Sequence, residues 1–125
     1  MEENIYIRLD ADNIGDNIEL SLLKNDYITA QKIHNKVQTN INNILNVLKS
    51  KNDIEILLIG CDDILFSINT SNYDFNFIKN IAKNFEKNSG FTLSIGIGNT
   101  VSSALKNLRI AKLSGKNNII ITLKK

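Results

Sequence analysis

The chain has 125 residues, a mass of 14.0 kDa and a net charge of +2, with 42% hydrophobic residues. This length supports one hydrophobic core, so residues 1–125 are predicted to form a single domain, and the near-neutral charge argues against a long nucleic acid as partner. The single cysteine excludes a disulfide framework and favours a cytoplasmic location. No apolar run is long enough to span a bilayer, so no membrane contact is expected.

The first half of the chain predicts a strand, a long helix and a hairpin. Alternating polar and apolar residues indicate a strand over residues 4–9, which leads into a polar stretch. A helix is expected over residues 26–49, because apolar residues recur there in steps of three and four. Strands over residues 54–59 and 64–68 follow as a tight hairpin, and the first of them is apolar enough to predict a central position.

The second half predicts a helix over residues 74–88, a strand over 91–97, a helix over 101–113 and a strand over 118–123. Glycines close both helices. The order of elements matches the split βαβ, ferredoxin-like pattern, so we expect an α+β fold whose mostly antiparallel sheet packs on helices. In this pattern the first strand lies beside the third. The inward face of the last helix is predicted to contain Val101, Ala104, Leu105 and Leu108.

Four carboxylates are expected to meet at the end of the first strand. Asp10 and Asp12 lie two residues apart, and Asp62 and Asp63 occupy the hairpin turn. Carboxylates packed so closely repel one another, and neither motif contains a lysine or arginine that would neutralise them. Oxygen ligands without histidine or cysteine favour Mg²⁺ or Mn²⁺, with the shell completed by substrate phosphates. Each motif on its own is also typical of an ordinary turn.

Two further features predict phosphate binding. The loop that begins at Asp12 contains Gly15 and leads toward a helical segment. Its backbone N–H groups are expected to bind a phosphate. The alternative is that the loop only connects two elements. Lys112 and Lys116, at the end of the last helix, are expected to bind the oxygens of a triphosphate through their positive charges. The alternative for Lys112 is compensation of the helix dipole.

Taken together, these features resemble the palm-type nucleotidyl cyclase family. That family includes the GGDEF diguanylate cyclases and the palm domains of type III CRISPR large subunits. The chain's small size, its double aspartate and its D-x-D-x-I-G loop are most similar to the minimal CRISPR polymerases. The segments that resemble family motifs are Leu9-Asp10-Ala11-Asp12, Gly60-Cys61-Asp62-Asp63-Ile64, Ser94-Ile95-Gly96-Ile97 and Ala111-Lys112-Leu113-Ser114-Gly115-Lys116-Asn117.

The resemblance implies a palm domain that converts nucleoside triphosphates into a cyclic di- or oligonucleotide in bacterial antiviral defence. The guanine-reading F-K-x-I-N-D run of diguanylate cyclases is replaced by N-I-G-D-N-I over residues 13–18, which favours ATP and a product such as cyclic di-AMP. A separate effector protein is expected to read the product. Forming a cyclic dinucleotide takes two phosphodiester bonds. Two protomers that face each other, each with one nucleotide, would form both bonds, so we expect a homodimer.

The resemblance also assigns roles to individual residues. Two Mg²⁺ or Mn²⁺ ions would be held by Asp10, Asp63 and the Ala11 carbonyl, with Asp62 as a third ligand or as the base for the attacking hydroxyl. The expected substrate contacts are Asp12, Asn13, Ile14, Gly15, Gly60, Lys112 and Lys116.

Two other functions fit the same sequence. One is a degenerate palm domain that binds nucleotides without turnover, and the other is a ferredoxin-like interaction module. The presence of Asp10, Asp62, Asp63 and Lys112 favours the enzyme, because a degenerate site usually lacks a metal ligand.

Overall fold

The computed structural model describes residues 3–124, which form a single sheet packed between helices. A short 3₁₀ turn, Thr70–Asn72, follows the third strand. In chain order the main elements are β1 (Asn4–Ala11), α1 (Ile14–Leu23), α2 (Tyr27–Lys49), β2 (Ile54–Ile59), β3 (Asp63–Asn69), α3 (Phe75–Ser89), β4 (Leu93–Gly98), α4 (Val101–Leu113) and β5 (Ile119–Thr122).

The sheet has the strand order β2-β3-β1-β4-β5, which places β1 at its centre. β1 pairs antiparallel with β3 and β4, β2 pairs antiparallel with β3, and only β4 and β5 are parallel. The predicted α+β class, the mostly antiparallel sheet and the position of the first strand beside the third are therefore confirmed.

The two faces of the sheet are covered differently. Ile5, Ile7 and Leu9 alternate along β1 into the main core, which they share with apolar residues of α2 and α3. The opposite face packs against α4 above β4, where a Cβ on Gly96 would lie 2.1 Å from the carbonyl oxygen of Ala104. Helix α4 packs chiefly on β4 and makes smaller contacts with β5 and β1, so this face stays partly open at Asp10 of β1 and at Asp63 of β3. Arg8 on this open face is only partly buried.

Helix α1 is an element to which the sequence analysis gave no bounds, although it expected the loop after β1 to lead toward a helical segment. The expected loop after β1 is short, because the helix begins at Ile14, directly after Asn13 in a left-handed conformation (φ 64°). Only Ile14 and Ser21 are buried, while Leu20, Leu22 and Leu23 are exposed, so the apolar residues of this helix do not form the single buried stripe of a typical packed helix. The other helices lie within one residue of their predicted bounds.

The prediction that strand β2 is central is wrong, because it forms the edge of the sheet. Leu58 and Ile59 are 61% and 54% exposed, so an apolar run did not mark a strand buried on both faces. The predicted inward face of α4 is also partly wrong. Val101 and Leu105 are exposed, whereas Asn107 is buried and donates to the Ile97 carbonyl oxygen at 2.8 Å.

Over residues 3–124, no helix has the length and apolar character needed to cross a membrane.

Candidate active site

The central strand and the hairpin bring two carboxylates together on the open face of the sheet. Asp10, near the end of β1, lies directly opposite Asp63, the first residue of β3. Asp62 precedes Asp63 in the turn, and its carbonyl oxygen accepts a hydrogen bond of 2.9 Å from the backbone N–H of Ala11. The predicted meeting of Asp10 with the hairpin aspartates across adjacent strands is thus confirmed. Asp10 and Asp63 are called the acidic pair below.

The ionised form of Asp10 is held in an unfavourable environment. Burial is the main reason that its pKa rises from 3.8 to about 6, and the nearby charges of Asp62 and Asp63 add to the increase. The positive charges of Lys112 and Arg8 oppose it without cancelling it. A further cation beside Asp10 would therefore be stabilised by this electrostatic environment.

Arg8 supplies a positive charge that the sequence analysis missed. Its guanidinium donates to Asp63 Oδ2 at 2.5 Å, and both side chains are 24% exposed. Neither aspartate motif contains a lysine or arginine, as the sequence analysis noted, but Arg8 partly neutralises the carboxylates from just outside the first motif. The sequence does contain a signal for this contact. Side chains alternate between the two faces of a strand, so Arg8, two residues before Asp10, must share its face. Any cation that binds Asp63 has to share this carboxylate with Arg8.

Gly60 makes room for the carboxylate of Asp63. A Cβ at position 60 would lie 1.8 Å from Asp63 Oδ1, and the N–H of Gly60 donates to the Asp63 carbonyl oxygen at 2.9 Å. The hairpin therefore needs glycine at this point for Asp63 to keep its position. A direct contact between Gly60 and substrate stays a prediction.

Asp12 has a different environment from Asp10, although the two lie only two residues apart. Its side chain is 1% exposed and accepts hydrogen bonds from the Thr92 and Ser94 hydroxyls at 2.6 and 2.7 Å. It also accepts from Lys112 Nζ at 2.7 Å and from the Asn117 N–H at 3.0 Å. Asp12 with these four donors is called the Asp12 anchor below.

The Asp12 anchor corrects the expectation that the Asp12 carboxylate joins those of Asp10, Asp62 and Asp63, because its partners come from the start of β4 and the end of α4. A contact between Asp12 and substrate stays a prediction. Burial by itself would raise the pKa of Asp12, but the hydrogen bonds from Lys112, Thr92 and Ser94 outweigh it and lower the pKa. The carboxylate is ionised, buried and saturated with donors, so it ties the end of β1 to β4 and to the end of α4.

Lys112 connects the Asp12 anchor with the acidic pair. Besides its bond to Asp12, its ammonium lies 3.2 Å from the Ala11 carbonyl oxygen and 3.7 Å from Asp10 Oδ2. The chain therefore provides its own partners for this charge, beyond the helix dipole considered from sequence. A contact between Lys112 and a nucleotide phosphate stays a prediction.

The start of α1 provides backbone donors beside the acidic pair. Asn13 at the N-cap makes no side-chain cap, so the first-turn N–H groups, such as that of Gly15, are not blocked by this side chain. Lys116 Nζ donates to Asn13 Oδ1 at 2.5 Å, which brings a second positive charge to the same corner. Ile14 is part of the core, so only its backbone faces this corner. Amides without a side-chain cap and a cation are donors of the kind that bind phosphate, and Asp16 is the acidic side chain of the same turn.

The donor set of the site suits a hard divalent cation. Within residues 3–124, no three His, Cys, Asp or Glu side chains form a ready metal-binding group. Magnesium usually binds one or two protein carboxylates and completes its shell with water and substrate phosphates. The acidic pair, the Ala11 carbonyl and Asp62 are such donors, so the residues fit Mg²⁺ or Mn²⁺ that enters with a nucleotide.

Comparison with known proteins identifies the family. The model of the minimal CRISPR polymerase domain matches residues 6–122, which include every site residue described above. The chain belongs to this family. It is therefore a palm domain of the polymerase type, as the resemblance in its motifs implies. No curated protein matches the chain.

Solved structures agree on the palm fold of this minimal CRISPR polymerase domain. The GGDEF domain of DgcB from Caulobacter crescentus, solved with c-di-GMP, is 10% identical with a TM-score of 0.65, over 96% of this chain and 78% of that one. A Csm1–Csm4 cassette solved with cA4 is 15% identical with a TM-score of 0.68, over 98% of this chain and 21% of that one. The same cassette with one ATP gives 17% identity and a TM-score of 0.66, over 94% and 20% of the two chains. The chain thus spans about a fifth of the matched cassette chain.

Proposed function

We propose that this domain joins nucleoside triphosphates, with ATP preferred, into a cyclic oligonucleotide and releases pyrophosphate. The observation that supports this most directly is the register of β1 and β3, which puts Asp10 opposite Asp63 on the open face of the sheet. The uncapped start of α1 and Lys116 lie at the end of the same strand. Carboxylates beside phosphate donors are what a metal-assisted nucleotidyl transfer needs.

In the proposed reaction the chain positions one nucleotide by its phosphates. The first-turn N–H groups of α1, including that of Gly15, and Lys116 hold the β- and γ-phosphates, and the α-phosphate then lies toward the acidic pair. Two Mg²⁺ or Mn²⁺ ions at Asp10, Asp63 and the Ala11 carbonyl would supply positive charge to the reacting phosphoryl group. Lys112, whose ammonium lies 3.7 Å from Asp10 Oδ2, contributes further positive charge.

The bond changes of each step are simple. A ribose hydroxyl of a second nucleotide forms a bond to the α-phosphorus of the first, and the bond from that phosphorus to pyrophosphate breaks. The proton of the hydroxyl passes to Asp62 or to solvent, unless Asp62 serves as a third metal ligand. Two such steps close a cyclic dinucleotide, and two protomers face to face would provide both sites.

The preference for ATP and the nature of the product are proposed on two grounds. Residues 13–18 lack the guanine-reading run of diguanylate cyclases. Csm1–Csm4 cassettes that share this fold were solved with ATP and with pppApA. We propose cyclic di-AMP or a larger adenylate ring, which a separate effector would read during antiviral defence.

The test is an assay with each of the four nucleoside triphosphates in Mn²⁺, with pyrophosphate measured and products identified by mass spectrometry. We expect wild-type protein to release pyrophosphate and form a cyclic adenylate from ATP, and Asp63→Asn to lose this activity. Glu86→Gln, an exposed carboxylate of α3, is the matched control. Absence of pyrophosphate with all four nucleotides would refute the proposal, and binding without product would identify a nucleotide sensor.

A further inference from the structure

Helices α2 and α3 carry a concentration of positive charge that the composition of the whole chain conceals. Together they contain six lysines and a single acidic residue, Glu86, whereas the whole chain has a net charge of only +2. Lys79, Lys83 and Lys87 follow one another at intervals of four and are all exposed, so they form one row along α3. No ion pair described over residues 3–124 includes a lysine of these two helices. This face therefore attracts an anionic partner.

A groove of about 330 Å³ between α2 and α3 is lined by amide side chains next to this lysine row. The lining amides are those of Asn40, Asn43, Asn80, Asn84 and Asn88. Among the side-chain hydrogen bonds of the part of the chain that the structure describes, only one involves these amides, a bond of 2.8 Å from Asn40 to the carbonyl oxygen of Lys36. The groove therefore offers several amides whose donors and acceptors are available to a ligand.

The spacing of these amides fits the main chain of an extended peptide. The asparagines of α3 lie four residues apart, which is about 6 Å along the helix axis, and two residues of an extended chain span about 6.8 Å. An asparagine amide donates through its nitrogen and accepts through its oxygen, so it can pair with peptide N–H and C=O groups. Each lysine of the row lies three residues after an asparagine of α3, so amides and charges lie side by side.

The same surface is poorly suited to two other kinds of anionic partner. Single-stranded nucleic acids stack their bases on exposed aromatic rings. In this groove Phe85 is only 2% exposed, and Phe77 is half-buried with Lys51 Nζ at 4.8 Å from its ring centroid. A helix that binds an anionic membrane surface presents a broad apolar face to it, whereas the row beside these lysines consists of asparagines.

We propose that the groove between α2 and α3 binds an acidic segment of a partner protein in an extended conformation. The asparagines pair with its main chain, and Lys83 and Lys87 contact its carboxylates. Val47, which lines the groove and is 44% exposed, contacts the apolar side chains that alternate with them. Because α2 and α3 cover the face of the sheet opposite the acidic pair, the bound segment leaves the candidate active site free.

The proposal is tested by fluorescence anisotropy with a labelled eight-residue peptide in which glutamate alternates with valine, at low ionic strength and without nucleotide or metal. Wild-type protein is expected to bind this peptide. The variants Asn80→Ala/Asn84→Ala and Lys83→Gln/Lys87→Gln are each expected to bind it about 3- to 30-fold more weakly, through loss of hydrogen bonds and of charge contacts respectively. Alanine and glutamine are good helix formers, so both variants should remain folded, which circular dichroism checks.

The matched control is Lys106→Gln/Arg109→Gln, which removes two positive charges from α4 and should bind the peptide like wild type. A peptide with glutamine in place of every glutamate should bind at least about 10-fold more weakly to wild-type protein. Absence of binding by the glutamate peptide, or unaltered affinity in both α3 variants, would overturn the proposal.

Two competitors test the class of partner. Displacement of the peptide by an eight-nucleotide oligoadenylate at lower concentrations than by unlabelled peptide would assign this face to single-stranded nucleic acid and overturn the proposal. Displacement by phosphatidylserine vesicles, with binding of the protein to them, would likewise assign it to a membrane. No catalytic activity enters these measurements, so their outcome is independent of whether the proposed function is correct.

Discussion

Asp10 and Asp12 have the same side chain and lie two residues apart, yet the fold treats them in opposite ways. Asp12 is buried and accepts four hydrogen bonds, and its pKa is lowered. Asp10 is 30% exposed, faces two other carboxylates, and has a pKa raised to about 6. A carboxylate whose lone pairs are all used by the protein serves the structure, while one that is left poorly compensated is available to a ligand.

The most disruptive way to test this comparison is to remove the Asp12 side chain. Asp12→Ala leaves Lys112 and two hydroxyls without their shared acceptor, and breaking a buried ion pair on one side costs about 3–5 kcal/mol. Urea unfolding should show a loss of this size, a large share of the about 5–15 kcal/mol typical of a domain. Thr92→Val, which removes a single donor, should cost only about 1 kcal/mol. A loss below about 1 kcal/mol in Asp12→Ala would contradict the anchor.

A substitution at Gly60 should affect the acidic pair without affecting the fold. In Gly60→Ala the new methyl group displaces the Asp63 carboxylate, a movable side-chain end, so the free energy of unfolding should change little. Mn²⁺ affinity is expected to fall about 10- to 100-fold, as for other changes that misplace a metal ligand. Calorimetric titration measures the affinity and urea unfolding measures the stability. Unaltered Mn²⁺ binding would show that Gly60 does not position Asp63 for metal.

The raised pKa of Asp10 makes a signed prediction about stability in the absence of metal. The native state retains the Asp10 proton up to about pH 6, whereas the unfolded chain releases it near 3.8, so this group's contribution to the free energy of unfolding falls as pH rises between these values. Asp10→Asn removes that fall. With solvent screening of a partly exposed group, the variant should gain about 1–2 kcal/mol over wild type between pH 4 and pH 7.

Comparing each protein's unfolding at the two pH values isolates Asp10 from Asp12, whose lowered pKa acts with the opposite sign at lower pH. A variant that loses stability relative to wild type between pH 4 and pH 7 would show that the Asp10 carboxylate is well compensated in the native state.

The smallest expected effect concerns Arg8. Replacing it in Arg8→Gln removes a positive charge that shares Asp63, so Mn²⁺ should bind about 3- to 10-fold more tightly, equivalent to about 0.6–1.4 kcal/mol. Electron paramagnetic resonance of free Mn²⁺ measures this directly. Lys79→Gln on α3 removes a positive charge far from the site and should leave Mn²⁺ binding unchanged. Weaker binding in Arg8→Gln would mean that Arg8 organises Asp63 rather than competing for it.

The elements that sequence predicted best are those with a single, strong local pattern. Helices α2 and α3 have regular apolar stripes and aspartate N-caps, and the hairpin follows from a short polar turn. Helix α1 received no bounds because its apolar residues follow no single buried stripe, and β2 was placed wrongly because its apolar run, with exposed leucines, resembles a buried strand. Periodicity reports which residues are apolar, and only the tertiary arrangement decides which of them are covered.

The candidate site was predicted in its register but not in its charge balance. The juxtaposition of Asp10 and Asp63 follows from the order of the strands, which sequence indicates. The hydrogen bond from Lys112 to Asp12 joins residues 100 positions apart. Ser94 in β4 and Thr92, just before β4, also donate to Asp12 from a distant part of the chain. No local sequence pattern indicates these contacts.

The central claim, that Asp10 and Asp63 hold the metal, is tested most directly by Mn²⁺ titration of wild-type protein, Asp10→Asn and Asp63→Asn at pH 7.5. Glu86→Gln serves as the matched control, since it removes an exposed carboxylate on α3. Both active-site variants are predicted to lose at least about 10-fold in Mn²⁺ affinity while remaining folded, and the control is predicted to bind like wild type. Wild-type affinity in Asp10→Asn and Asp63→Asn would contradict the account.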